Sequence, residues 1–523
     1  MNQPTPGGNA EISIPQETVS SDEKAKATVV LNENQEIHSA IPHATTNVTS
    51  NATAHALSDP NAPEDGRDRG YSRLSMVMMV VFSGLAIGSD GFNASIIGNI
   101  ELIMGVIYPD SLTTEVAARL SNAFMVGMII GMLSFGYISD KLGRKTGAVL
   151  TTTILVLGIA LSAGASGLTE DGMFWMLIIA RGIAGVGAGG EYPVAGAGAA
   201  EATDETPGIR KRRGFIFAMI GDLSASLGFA FGALVPLILL LCFHQQVRHY
   251  EAVWRVSLAM GAIAPLSIFW FRYRMVMSTA YRKSSMKKQR IPYWLAAKKY
   301  WRPLLGVCGS WFIYNYISYP FGLFSSTIVG RVNPSSSLAL TMAWGTLINC
   351  FYIPGAFIGG YLSDRIGRRR TMALGFMLQA ALGFILGGAL GPIQTKLPLF
   401  IIGPGLTIVL TASESFPTAV RGHGVGLAAA WSKAGAAIGT QVFKPIMASW
   451  GDDSFRGTQA VFLIGSGFAV LGSLLAWFVL EDSNKILDHG DQDWKDYLVA
   501  HGYTNIEWGV EPQPEESGIK VVD

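Results

Sequence analysis

Twelve long apolar runs, almost free of charge, constrain this chain more than any other feature. They centre on 74–98, 118–138, 148–166, 172–200, 214–241, 252–271, 303–329, 338–362, 372–391, 397–413, 422–448 and 457–480. A bilayer core needs about 20 apolar residues per helix, with roughly 17–25 tolerated. Backbone amides in hydrocarbon must be satisfied within their own segment, so runs of this length are read as membrane-crossing helices. The alternating short strands of a transmembrane barrel are absent from the sequence. The expected fold is an all-α polytopic membrane protein. The tenth run is the weakest, because TKLPLFIIGPGLTIVLTASE offers only about 17 suitable residues and has Pro404 in its middle.

Only 15% of the 523 residues are charged, against about 25% in soluble chains. The net charge of +1 gives no reason to expect a nucleic acid partner. Cys242, Cys308 and Cys350 fall in or beside apolar runs without metal-ligand spacing, so they are read as small buried apolar residues. No metal and no cofactor is expected. Residues 1–72 are rich in Thr, Asn, Ala and Pro, contain no apolar leader segment, and are expected to be a disordered tail. Residues 481–523 read as a second polar tail, with Trp494 and Trp508 as candidate docking points.

Basic residues sort by loop. One side collects Arg67, Arg69, Arg73, Lys141, Arg144, Lys145, Arg210, Lys211, Arg212, Arg213, Arg365, Arg368, Arg369 and Arg370, together with a basic segment over 272–302. The other side holds little beyond Arg248, Arg331, Lys396 and Arg456. The positive-inside rule puts both tails in the cytoplasm. The sequons at Asn47 and Asn51 would then never meet the glycosylation machinery and are read as chance matches.

Two charged strings repeat each other: GYISDKLGRKTG at 136–147 and GGYLSDRIGRRRT at 359–371. Each lies between the second and third run of a set of six. The chain therefore reads as two six-helix halves, 73–271 and 303–480, joined by the basic linker 272–302. Duplicated units of this kind hold substrate near the midplane between halves. The strings resemble the loop motif of the major facilitator superfamily over roughly residues 70–482, which implies its twelve-helix fold. Gly136 and Gly360 permit close helix packing. Asp140 and Asp364 can pair with Arg144 and Arg368, latching the cytoplasmic side; these are gate residues.

Charges inside spans are costly and mark function by default. Asp90 lies in the first, Glu191 in the fourth, Asp222 in the fifth and Lys433 in the eleventh. Lys433 is about 11 residues, roughly 16 Å, into its helix, too deep to snorkel, and is read as an anion site unless Glu191 or Asp222 pairs with it. GVGAGGEYP at 185–193 superficially suggests a dinucleotide fingerprint, but no strand precedes it. Its glycines are read as removing bulk between helices. Glu191, beside the helix-breaking Pro193, is read as a proton carrier, the alternative being an ion pair with Arg181. Trp311, Asn315 and Tyr319 stand at i, i+4 and i+8 on one helix face and, with Tyr314 alongside, are read as a cavity lining.

GGEYP, the W-x-x-x-N-x-x-x-Y stripe, AAWSKAGAAIG and SESFPTAVRG together resemble the phosphate:proton symporter branch, nearest in wording to the fungal glycerophosphoinositol and glycerophosphocholine permeases. The resemblance implies that Asp90, Glu191, Tyr192, Trp311, Tyr319 and Lys433 bind the phosphate group or relay protons. Asn315, on the same face as Trp311 and Tyr319, is read as a further substrate contact, and Asp222, inside its span, as a further candidate for proton coupling. It departs at Asn315, where related phosphate symporters carry an acid, and near Ile220, where they carry a glutamine. The expected activity is import of a small anionic organic phosphate, a glycerophosphodiester, with protons across the plasma membrane. Inorganic phosphate symport and a transporter-like nutrient sensor are the alternatives.

Overall fold

The computed structural model describes residues 73–142, 144–204, 215–216, 219–274, 292–332, 335–393, 415–416, 421–450, 454–480 and 484–503. The first half is built from α1 (Arg73–Ile107), α2 (Thr114–Leu142), α3 (Arg144–Ala163), α4 (Glu170–Asp204), α5 (Ser224–Cys242), α6 (Tyr250–Met260) and α7 (Ile263–Arg274). After the short α8 (Tyr293–Lys299), the second half runs through α9 (Trp301–Leu323), α10 (Ser325–Val332), α11 (Leu338–Cys350) and α12 (Tyr352–Ile366). It continues with α13 (Arg368–Ile393), α14 (Arg421–Ala448) and α15 (Ser454–Phe478), and α16 (Asn484–Ala500) follows. No strand occurs among the described residues.

Among the described residues, eight helical segments are long and apolar enough to cross a bilayer: Thr114–Ile138, Lys145–Ala163, Glu170–Val194, Met219–Cys242, Val247–Tyr273, Leu338–Ile366, Arg368–Gly388 and Phe455–Phe478. Each matches an expected run. The helices α1, α9 and α14 also fall on expected runs, and they carry Asp90, Asn315 and Lys433. The tenth run, 397–413, lies outside the described residues, as does the amino-terminal tail. Large apolar side chains such as Leu157, Ile179, Phe231 and Leu471 face outward. A hydrocarbon surround removes the penalty that water would impose on such a surface.

Glycine sets the helix spacing. A Cβ on Gly185 would stand 2.2 Å from the Phe124 carbonyl oxygen, and one on Gly189 2.1 Å from that of Met128. The GVGAGG stripe thus lets α4 press on the α2 backbone, the packing role expected of it. Gly367 has a different task. Its φ of 89° turns the chain between α12 and α13, a conformation other residues rarely adopt, which accounts for the glycine in the second D-x-x-G-R string.

The carboxyl-terminal tail is not wholly loose. Trp494 is buried in α16 and packs with Tyr300, Phe416 and Leu498. Lys299 of α8 donates to the Asp493 carbonyl and lies 4.9 Å from the Tyr497 ring centre. Burial there lowers the Lys299 pKa. Trp508 lies outside the described residues. Cys242 corrects the reading of buried cysteines: it is exposed at the end of α5, while Cys308 and Cys350 are partly buried.

The halves are linked at both ends. At the end bearing the repeated strings, Asp364 Oδ2 accepts the Phe215 backbone N–H at 2.9 Å, tying the second half to the start of the fifth span. Asp364 also lies 3.8 Å from Arg368, the pairing expected within that string. The side chains of Asp140 and Arg144 are outside the described set. Gly136 is buried on α2, with its Cα 3.6 Å from where Gly426 of α14 would carry a Cβ, and Gly360 is buried on α12. At the opposite end Lys444 of α14 pairs with Glu101 of α1 at 2.8 Å. Ser326 donates to Asn99 at 2.7 Å and Thr440 to Asn122 at 2.6 Å, also across the halves.

Candidate functional site

Between those two sets of links lies a cavity of about 100 Å³, space for several waters. The helical register of α9 brings Trp311, Asn315 and Tyr319 to its wall, and Tyr314 and Ser318 join them. Trp311, Asn315 and Tyr319 are all buried from the outer surface. Asn315 does not sit idle: its amide donates to Ser432 Oγ of α14 at 2.9 Å. Tyr352 of α12 donates to the Ser318 carbonyl at 3.4 Å, and Gln379 of α13 to the Ser318 hydroxyl at 3.2 Å.

Lys433 enters the same cavity from α14 and is 4% exposed. Its Nζ lies 4.4 Å from the Tyr319 ring centre and 5.4 Å from that of Tyr192. Two aromatic faces therefore stabilise the ammonium. Among the described residues no carboxylate ion-pairs with it, so neither Glu191 nor Asp222 fills the role of structural partner. The five residues expected to contact substrate, Tyr192, Trp311, Asn315, Tyr319 and Lys433, all line this one cavity.

The three expected coupling acids part company. Asp222 lines the cavity from a single π turn, Met219–Leu223. Asp90 is 1% exposed on α1, behind the cavity wall, and neither of its carboxylate oxygens accepts a hydrogen bond among the described residues. It remains within electrostatic reach of Glu191, Lys433 and Arg272. Glu191 is also away from the cavity lining, held in a two-pronged ion pair by Arg272 of α7. Thr151 of α3 donates a further hydrogen bond to it at 2.9 Å.

Arg272 is thus no part of the basic linker. It is 5% exposed inside the first half, because a buried carboxylate on a neighbouring helix holds its guanidinium there. Arg181, the alternative partner for Glu191, points elsewhere. It donates to the backbone carbonyls of Leu120 and Asn93 and lies 5.2 Å from the Phe124 ring centre. Sequence reasoning missed Arg272 as a partner, and it missed Tyr352 and Ser226 on the cavity wall. No hydropathy signal marks the latter two.

The sequence profile of the Major Facilitator Superfamily matches residues 76–440, with a second match over 333–502. The chain belongs to the Major Facilitator Superfamily. It is a transporter, not an enzyme. The glycerophosphoinositol permease 1 of Candida albicans is 35% identical over 467 residues, covering 86% of this chain and 87% of the relative. The glycerophosphoinositol transporter 1 of Saccharomyces cerevisiae is 34% identical over 462 residues, with 86% and 87% covered. Among solved structures, a proton:xylose symporter bound to a bromodeoxyglucose superposes with a TM-score of 0.65 at 17% identity, over 80% of this chain and 100% of the symporter. That likeness shows the major facilitator fold alone.

Proposed function

We propose that this major facilitator imports a glycerophosphodiester together with protons, across the plasma membrane and with both termini in the cytoplasm. One observation carries the reading. Lys433 is a buried cation facing a cavity, with aromatic faces and, among the described residues, no carboxylate in ion-pair contact, Asp90 acting on it only from a distance. A buried ammonium without a counter-ion is costly, and a phosphate oxygen supplies the missing charge. Tyr192, Tyr319 and Trp311 offer hydroxyl and indole donors for the other phosphate oxygens. The similarity to two fungal glycerophosphoinositol carriers supports a diester as the phosphate.

For proton coupling we favour Asp90. Glu191 is engaged by Arg272, whereas Asp90 has no hydrogen-bond donor and lies within reach of Lys433. The Asp364 link to Phe215 supports a gate at the cytoplasmic end, with Gly136, Asp140, Arg144, Gly360 and Arg368 as its other members. The Glu101–Lys444 pair forms the outer gate.

The test is uptake in cells lacking their own permeases. Labelled glycerophosphoinositol, glycerophosphocholine and inorganic phosphate are compared at several external pH values. The reading expects diester uptake that rises as the outside is acidified. Uptake of inorganic phosphate alone would overturn the diester, and a flat pH profile would overturn the symport.

A further inference from the structure

Among the described residues one acidic and one basic side chain line the cavity, and they do not pair. Lys433 rests between Tyr192 and Tyr319. Asp222 makes no ion pair and accepts no side-chain hydrogen bond among the described residues. The hydroxyls nearest to it in sequence are spent on backbone. Ser226 donates to the Asp222 carbonyl at 2.7 Å and Ser224 to the Met219 carbonyl at 2.9 Å.

The local backbone is unusual at this residue. Met219–Leu223 is a π turn leading into α5, and such turns insert one residue and redirect the side chains that follow. They recur at functional sites. Here the turn carries Asp222, the one carboxylate among the described residues of the cavity wall. Around the same cavity stand Tyr314, Tyr352 and Phe229, and Tyr319 meets the Phe229 ring edge-on at 5.2 Å.

A cavity holding one free ammonium and one free carboxylate is complementary to a particular charge pattern. Inorganic phosphate carries more than one negative charge near neutral pH, and only Lys433 would attract it while Asp222 repelled it. A phosphodiester carries a single negative charge, which Lys433 answers. The carboxylate is then left for a cation on the same molecule. Aromatic rings beside a carboxylate form a favourable setting for a bulky, weakly hydrated ammonium.

We propose that Asp222 is the subsite for a cationic head group, so that this cavity prefers a zwitterionic phosphodiester over an anionic one. The proposal rests on the phosphodiester reading above and goes beyond it by naming the head-group chemistry and the residue that selects it. The phosphate end lies on Lys433 with Tyr192 and Tyr319. The ammonium end lies on Asp222 among Tyr314, Tyr352 and Phe229.

The experiment is uptake by the full-length transporter in permease-deficient cells, at matched surface expression. The probes are glycerophosphocholine, which is zwitterionic, and glycerophosphoinositol, which has no cation. Wild type is expected to favour the choline diester. Asp222→Asn should lower the ratio of choline to inositol diester uptake at least tenfold, chiefly through KM, and Asp222→Glu should restore part of that ratio. Parallel loss of both substrates, with a flattened pH profile, would make Asp222 a coupling residue and overturn the proposal. An unchanged ratio in Asp222→Asn would overturn it as well. Wild type that takes up neither diester fails at the earlier reading, and is told apart because the variants then have no ratio to shift.

Discussion

Arg272→Met is the perturbation that separates a structural from a coupling role for Glu191. Removing the guanidinium leaves the Glu191 carboxylate 1% exposed, with the Thr151 hydroxyl at 2.9 Å as its main remaining donor. Stranding one member of a buried ion pair costs about 3–5 kcal/mol. One hydroxyl donor offsets roughly 1 kcal/mol of that, so a net loss of about 3 kcal/mol is expected. Glu191→Met with Arg272→Met should recover most of the loss, because apolar residues of similar volume replace a buried pair nearly neutrally. The measurement is thermal unfolding of detergent-solubilised protein, followed by fluorescence-detected size exclusion, for wild type, both single variants and the double. With each single variant losing about 3 kcal/mol and the double losing little, a coupling of about 6 kcal/mol should emerge from the cycle. Equal stability of Arg272→Met and wild type would refute the pairing. Glu191→Gln gives the functional counterpart: the amide still meets Arg272, and the pH dependence of uptake should survive. Its disappearance would return Glu191 to the coupling role.

Lys433→Met should abolish diester uptake at matched surface expression, a loss of about 4 kcal/mol or roughly a thousandfold in affinity; Lys433→Arg should also be poor, since a planar fork does not replace a compact ammonium between two rings. Asp90→Asn should flatten the pH dependence of uptake and remove accumulation against a gradient, while exchange of labelled for unlabelled substrate persists. Lys444→Gln should loosen the outer links. With the three native cysteines replaced, a thiol placed at Ser318 should then react about tenfold faster with an impermeant reagent added outside, equivalent to about 1.4 kcal/mol.

The spans were legible because a bilayer imposes one length and one polarity on every crossing helix. The cavity was partly legible for the same reason. A charge such as Lys433 inside an apolar run is too costly to be incidental, and Trp311, Asn315 and Tyr319 share a face by spacing alone. Partnerships were harder to read. Glu191 and Arg272 are 81 residues apart, and Glu101 and Lys444 are 343 apart. Loop charge counting assigns such residues to a side of the membrane and says nothing of what they touch. Arg272 looked like linker because it stands at the end of its span among other basic residues. The π turn at Met219–Leu223 was invisible, since MIGDL has no residue that forbids an ordinary α turn. Burial of Trp494 depended on Tyr300 and Phe416, which lie far from it in sequence.

The placement of Asp90 and Lys433 bears on how a proton and a substrate could travel together. Asp90 has no hydrogen-bond donor, so its ionised form leans on nearby positive charge, and Lys433 is the cation of the cavity. A phosphate arriving at Lys433 competes for that same charge. Binding substrate would therefore favour the neutral acid, and by linkage a proton on Asp90 would favour substrate. On the proposed symport, acid outside would then promote loading and loss of the proton inside would promote release, the sense required for import. The gates give the cycle its sequence. The Glu101–Lys444 pair stands on one side of the cavity and the Asp364–Phe215 link on the other, and on the proposed reading one of them opens before the contents are released. Neither link touches the cavity residues. The Glu101–Lys444 link joins α1 and α14, the two helices that carry Asp90 and Lys433, whereas the other link holds Asp364 of α12 to Phe215. Charge at the site and closure at the outer end are thus built into the same pair of helices, one from each half.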